Sequence, residues 1–147
     1  MAVTKVLLVE DSKFLRVASE RALSKAGYEV STAADGAEAL QVANDKLPDI
    51  ILLDMMLPKI SGTEVLKALK ANPATMEIPV IVLTSLSQKN EEKLISEGAA
   101  AYFEKSTLDL DKSSDRLAAT IETVLSRVNH QKNLDLRLQV LAAKTRH

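Results

Sequence analysis

Residues 48–62 read Pro-Asp-Ile-Ile-Leu-Leu-Asp-Met-Met-Leu-Pro-Lys-Ile-Ser-Gly, and this stretch constrains the fold more than any other. Four consecutive apolar residues, Ile50 to Leu53, run straight into Asp54 and then into a loop marked by Pro58 and Gly62. A strand with one face in water alternates apolar and polar residues. An unbroken apolar run instead suits a strand covered on both faces, as in the parallel sheets of α/β proteins. Ligands of such sheets bind beyond the carboxyl ends of the strands. Asp54 therefore stands where chemistry is expected.

The same grammar recurs along the chain. Val6 to Val9 is a second short apolar run, and it ends in Glu10 and Asp11. Ser12 is placed to cap a following helix in which Leu15, Ala18 and Ala22 recur at helical spacing, with Gly27 as the stop. Tyr28, Val30 and Thr32 alternate as a strand does, Asp35-Gly36 marks a turn, and Ala37 to Asn44 makes a short helix with Leu40 and Ala43 inward. After Gly62, Val65, Leu66 and Leu69 share one face of a helix over Thr63 to Ala71 that Asn72-Pro73 breaks. Val80 to Leu83 is a further apolar run, ending in Thr84 and Ser85. Asn90 to Glu97 reads as a charged fourth helix stopped by Gly98, and Ala99 to Phe103 as a last strand leading into Glu104-Lys105. A fifth helix buries Leu117, Ile121, Val124, Leu125 and Val128. Five strands alternating with helices predict an α/β fold: a five-stranded parallel sheet in flavodoxin-like order 2-1-3-4-5, with right-handed crossovers and helices on both faces.

Composition enters where it limits the alternatives. With 147 residues, 46% of them apolar, the chain is long enough to bury its own core as one domain. The domain is expected over residues 1–128, followed by a basic tail over residues 129–147. From residue 126 onward there are five Lys or Arg against one Asp, so the tail region carries +4 while the rest carries −5. Leu134, Leu138 and Leu141 recur there at helical spacing, which suggests docking on a partner or on a second copy as a homodimer. Without Cys there is no disulfide and no thiolate metal site. The apolar runs are too short to cross a bilayer, and strand-like sequence starts directly after Met1. A soluble, unprocessed, cytoplasmic protein with no membrane contact is expected.

Under this topology Glu10, Asp11, Asp54, Thr84 and Lys105 reach the same edge of the sheet. Crowded carboxylates repel one another and are best explained by a hard divalent cation such as Mg²⁺. An aspartate is ordinarily ionised at neutral pH, so Asp54 can attack phosphorus without a general base. Charge developing on the phosphoryl oxygens is then stabilised by the cation, the Lys105 ammonium and the Thr84 hydroxyl. Each residue also has a plainer reading: Asp11 and Ser12 as helix caps, Thr84 as a strand end, Lys105 as a solvated lysine, Tyr102 as core packing. Five suitable groups at the ends of four predicted strands favour the functional reading.

Over Thr4 to Val128 the chain resembles the response-regulator receiver domains of two-component signalling, and is similar to their stand-alone chemotaxis type. The resemblance is carried by Val9-Glu10-Asp11-Ser12, by Asp54-Met55-Met56-Leu57-Pro58 with Gly62, by Leu83-Thr84-Ser85 and by Tyr102-Phe103-Glu104-Lys105. It implies that Asp54 accepts a phosphoryl group from the phosphohistidine of a sensor histidine kinase. It also implies that Glu10, Asp11, Asp54 and the backbone carbonyl of Met56 arrange Mg²⁺. Thr84 and Tyr102 act as switch residues in this family, remodelling the face of the fourth helix, fifth strand and fifth helix for an effector protein. Receivers of this kind usually carry Pro after the lysine in a cis bond, whereas here Ser106 follows Lys105. A cis bond before Ser costs about 2.5–4 kcal/mol, so the segment from Ser106 to Ser113 is expected to be rebuilt.

On this reading the chain is not an enzyme, since it turns over only its own phosphorylation and dephosphorylation. One competing function is a phosphatase of the haloacid-dehalogenase type, but that family places a second Asp two residues after its nucleophile, where this chain has Met56. Excess phosphodonor separates the two, one phosphate per chain against many. A flavin- or nucleotide-binding module is the other, yet Gly27, Gly36, Gly62 and Gly98 are isolated and form no phosphate-cradling loop. No direct nucleic-acid binding is expected, because too little chain follows Val128 for a DNA-binding output domain.

Overall fold

The computed structural model describes residues 3–55, 57, 60–84, 95–104 and 110–145. Its sheet holds β1 (Lys5–Val9), β2 (Glu29–Ala33), β3 (Ile50–Asp54), β4 (Val80–Thr84) and β5 (Ala101–Glu104). All adjacent pairs are parallel and the order is β2-β1-β3-β4-β5, as the sequence predicts. Helices α1 (Lys13–Lys25), α2 (Gly36–Lys46) and α3 (Gly62–Ala71) supply crossovers, and a C-terminal helix spans Leu110–Thr145.

Period-two alternation along the apolar strands divides the core into two layers. Leu7, Val9, Ile51, Leu53, Val80 and Val82 face Ala39 and Ala43 of α2 and Val65, Leu66 and Leu69 of α3. Val6, Leu8, Ile50, Leu52, Ile81 and Leu83 face Leu23 of α1 and Leu117, Ile121 and Val124 of the C-terminal helix. Both faces of β1 and β3 are thus sealed, which is why neither strand tolerates polar alternation.

The helix starts are set by short polar side chains. Ser12 accepts a hydrogen bond from the Leu15 amide, Asp35 from Glu38 and Ser61 from Glu64, each satisfying a donor that the first helical turn leaves open. Asp35-Gly36 is therefore a helix start rather than a free turn. Gly27, at φ +100, lies just past α1 in the left-handed region that suits glycine. Of the expected fourth helix only its last residues fall within the described part, where Ile95 and Ser96 are helical. The C-terminal helix already includes residues 110–113, which the sequence assigned to a rebuilt loop, and the Lys105–Ser106 bond lies outside the described residues. Among the described residues no helix is long and apolar enough to cross a membrane.

Candidate functional site

The register of the two central strands assembles the site. Val9 pairs with Leu53, and continuing by one residue brings Glu10 opposite Asp54 at the carboxyl end of the sheet. Both acids have the parity of Val6, Leu8, Ile50 and Leu52, on the α1 side. Asp11 follows at the start of the loop into α1. Carboxylate oxygens of Glu10, Asp11 and Asp54 all lie within 4.8 Å of one another. Glu10 and Asp54 are 2% and 4% exposed, whereas Asp11 is open to solvent. The cluster therefore has one accessible side.

The main chain around these acids is held from several directions. The Glu10 amide donates to the Ala33 carbonyl at 3.0 Å, and the Met55 amide to the Leu83 carbonyl at 3.0 Å. Arg16 reaches back from the first turn of α1, donating from Nη1 to the carbonyl oxygens of Glu10 at 2.9 Å and Asp11 at 3.3 Å. Sequence reasoning missed this residue. A cation in the first turn of a helix opposes the helix dipole, and that oddity was the available signal.

Gly62 makes the closest approach to the strand mouth. A Cβ at this position would stand 2.7 Å from both the Asp54 carbonyl oxygen and the Met55 Cα, and 3.1 Å from the Met55 sulfur. The Gly62 amide also donates to the Met55 carbonyl at 3.3 Å. Alanine here must push strand backbone aside, so Gly62→Ala is expected to destabilise the fold by about 1–3 kcal/mol, the usual cost of overpacking. Urea unfolding reads this directly, and an unchanged midpoint contradicts the packing argument.

Thr84 ends β4, in register with Glu104 of β5, and Tyr102 pairs with Val82. Tyr102 is half-buried and packs against the α2/α3 side of the core. Lys105 and Met56 lie outside the described residues. A sequence reading also gave no notice of Phe14, an apolar side chain 72% exposed on α1 and three residues after Asp11.

Three converging carboxylates are hard oxygen donors of the type that holds Mg²⁺ with water completing an octahedron. The cluster is consistent with such a site on donor chemistry and spacing.

Comparison with known proteins accords with this geometry. The profile of the response regulator receiver domain matches residues 6–122. A gliding motility regulatory protein of Myxococcus xanthus is 41% identical over an alignment of 118 residues that covers 77% of this chain and 15% of that protein. The polar-differentiation response regulator DivK of Brucella anthropi is 38% identical over 101 residues, covering 68% of this chain and 82% of that one. Among solved structures, the chemotaxis response regulator CheY4 of Vibrio cholerae superposes with a TM-score of 0.75 at 32% identity, over 84% of this chain and 99% of that one.

These findings correct one expectation, that the chain is not an enzyme. An acidic cluster of this kind in this fold implies catalytic phosphoryl chemistry performed by the chain's own side chains. Acting on its own carboxylate does not make a chain less of a catalyst, because the lowered barrier is what defines one.

Proposed function

This chain belongs to the response regulator receiver domain family, and on that premise we propose that Asp54 accepts a phosphoryl group from a sensor histidine kinase in a Mg²⁺-dependent step. The observation that carries the proposal is the convergence of Glu10, Asp11 and Asp54 within 4.8 Å at the one end of the sheet where β1 and β3 deliver them. Membership in the family implies a sensor histidine kinase upstream and an effector downstream. The receiver body is assigned to residues 1–128 and the basic segment 129–147 to an appendage.

A carboxylate oxygen of Asp54 attacks phosphorus in line with the phosphohistidine nitrogen. The new O–P bond forms as the N–P bond breaks, and the nitrogen leaves with the electron pair. Bound to Glu10, Asp11, Asp54 and the Met56 carbonyl, Mg²⁺ would supply positive charge to the phosphoryl oxygens. Lys105, the next residue in sequence after β5, and Thr84 of β4 are assigned to the same oxygens, because an ammonium and a hydroxyl stabilise charge that grows during transfer. Asp11, as the exposed acid, keeps the approach open, while the buried Glu10 and Asp54 are fixed by the strands. Thr84 and Tyr102 are assigned the switch that alters the β5 side of the molecule for an effector.

The test is intact mass after incubation with a small phosphodonor. One added phosphoryl group is expected with Mg²⁺ and none with chelator; uptake that ignores Mg²⁺ refutes the site.

Phe14 bears on the protein donor. An exposed aromatic ring three residues after Asp11 offers a kinase an apolar grip, and such anchors carry much of the affinity of small interfaces. Phe14→Ala is expected to slow transfer from the phosphorylated kinase about tenfold or more while leaving uptake from a small phosphodonor unchanged. Equal rates for both donors in wild type and variant contradict this role.

A further inference from the structure

Asp11 is the member of the acidic cluster that the sheet holds least. Glu10 and Asp54 are buried at the strand ends, whereas Asp11 is exposed in the link between β1, which ends at Val9, and α1, which begins at Lys13. Its carboxylate nevertheless lies within 4.8 Å of the other two. Like charges at that separation repel, and of the three acids the exposed one in a loop yields most readily. The convergence therefore needs a hold on Asp11 that the strands do not supply.

Arg16 supplies it. Its half-buried side chain spans back over the first turn of α1, and Nη1 donates to the Glu10 carbonyl at 2.9 Å and to the Asp11 carbonyl at 3.3 Å. These carbonyls belong to the two peptide groups that flank the Asp11 Cα. Each peptide group is planar, so the only soft torsions between them are φ and ψ of Asp11. Tying both oxygens to one nitrogen restricts the two torsions together, and with them the direction in which Cβ leaves the chain. The ends of the link are fixed separately, by the Glu10 amide on the Ala33 carbonyl at 3.0 Å and the Arg16 amide on the Ser12 carbonyl at 2.8 Å.

We infer that Arg16 is a positioning residue for the cation: by fixing the main chain on both sides of Asp11, it holds that carboxylate where it joins Glu10 and Asp54 around Mg²⁺. The inference rests on the reading of these three acids as a Mg²⁺ site. Two effects of Arg16 on the cation oppose each other in sign. Its charge repels Mg²⁺, so a guanidinium acting as a charge alone weakens binding, and removing it tightens binding. Its hydrogen bonds preorganise a ligand, so a clamp strengthens binding, and removing it loosens binding. The clamp outweighs the charge, because solvent and salt screen a partly exposed cation, whereas loss of a group that orients a metal ligand costs about 10–100-fold in affinity.

The experiment is calorimetric titration of the 147-residue chain with Mg²⁺, at a temperature where each variant is folded by its own unfolding transition. Arg16→Met keeps the helix propensity but offers no donor, and is expected to weaken Mg²⁺ about tenfold or more. Arg16→Lys, whose ammonium can donate to both carbonyls, should recover most of that loss. Lys13→Met removes the same charge from the same turn, where Lys13 is exposed, and should leave the affinity unchanged or tighter. Thr75→Val deletes the buried hydroxyl that donates to the Leu69 carbonyl at 2.8 Å, in the link from α3 to β4 at the opposite end of the sheet. It should lower the unfolding midpoint and keep the Mg²⁺ affinity, which separates positioning from lost stability. Phosphoryl uptake by Arg16→Met from a small donor should be slow at low Mg²⁺ and return at saturating Mg²⁺. The proposal is overturned by Arg16→Met binding Mg²⁺ as tightly as wild type or tighter, by Arg16→Lys as weak as Arg16→Met, by an equal loss in Lys13→Met or Thr75→Val, or by an uptake defect that Mg²⁺ does not repair. A wild type that binds no Mg²⁺ instead refutes the reading of the acids themselves, and the proposal with it.

Discussion

Asp54→Asn is expected to take up no phosphate from either a small donor or a kinase, within the detection limit of mass spectrometry. The carboxamide has nearly the same shape but lacks the anionic oxygen that attacks phosphorus, so the loss falls on chemistry rather than on folding. Asp54 is 4% exposed and shares a 4.8 Å cluster with Glu10 and Asp11. Removing one of three like charges there relieves repulsion, so the thermal midpoint should be unchanged or higher. A folded variant that still gains one phosphoryl group would show that another residue is the acceptor. A variant that fails to fold would be recognised by its lost unfolding transition.

Asp11→Asn is expected to weaken Mg²⁺ binding by about a hundredfold or more, since even groups that only orient metal ligands cost 10–100-fold when removed. Asp11 is the exposed member of the cluster, and its backbone stays anchored through the Arg16 guanidinium, so stability should be little affected. Calorimetric titration with Mg²⁺ measures the affinity. Phosphoryl uptake in the variant should be restored in part by raising Mg²⁺, which distinguishes a weakened cation site from a lost nucleophile. Unchanged Mg²⁺ affinity would remove Asp11 from the ligand set.

The sheet was legible because burial on both faces leaves a simple mark. Ile50 to Leu53 and Val6 to Val9 have no polar interruption, and their termination in acids puts Glu10, Asp11 and Asp54 at one edge of the predicted sheet. Other features left weaker traces. Asp35-Gly36 carries turn chemistry, yet the same side chain that favours a turn also caps a helix, and the structure uses it for α2. The basic tail expected from residue 129 opens on a polar run, Asn129 to Asn133, but that run contains neither Gly nor Pro, and a helix already formed on the sheet propagates through it. Arg16 binds main-chain carbonyls, which every residue possesses, so no partner residue announces it. The role of Gly62 was likewise hidden, because a loop glycine and a glycine pressed against strand backbone look alike in sequence.

The central claim is that the acid delivered by β3 is the phosphoryl acceptor. The most direct measurement is to phosphorylate the wild-type chain with a small donor in Mg²⁺, trap the acyl phosphate by borohydride reduction, and locate the reduced residue by peptide mass spectrometry. Reduction at position 54 alone is the predicted result. Reduction at Glu10, at Asp11 or at a carboxylate away from this cluster, with position 54 intact, would contradict it.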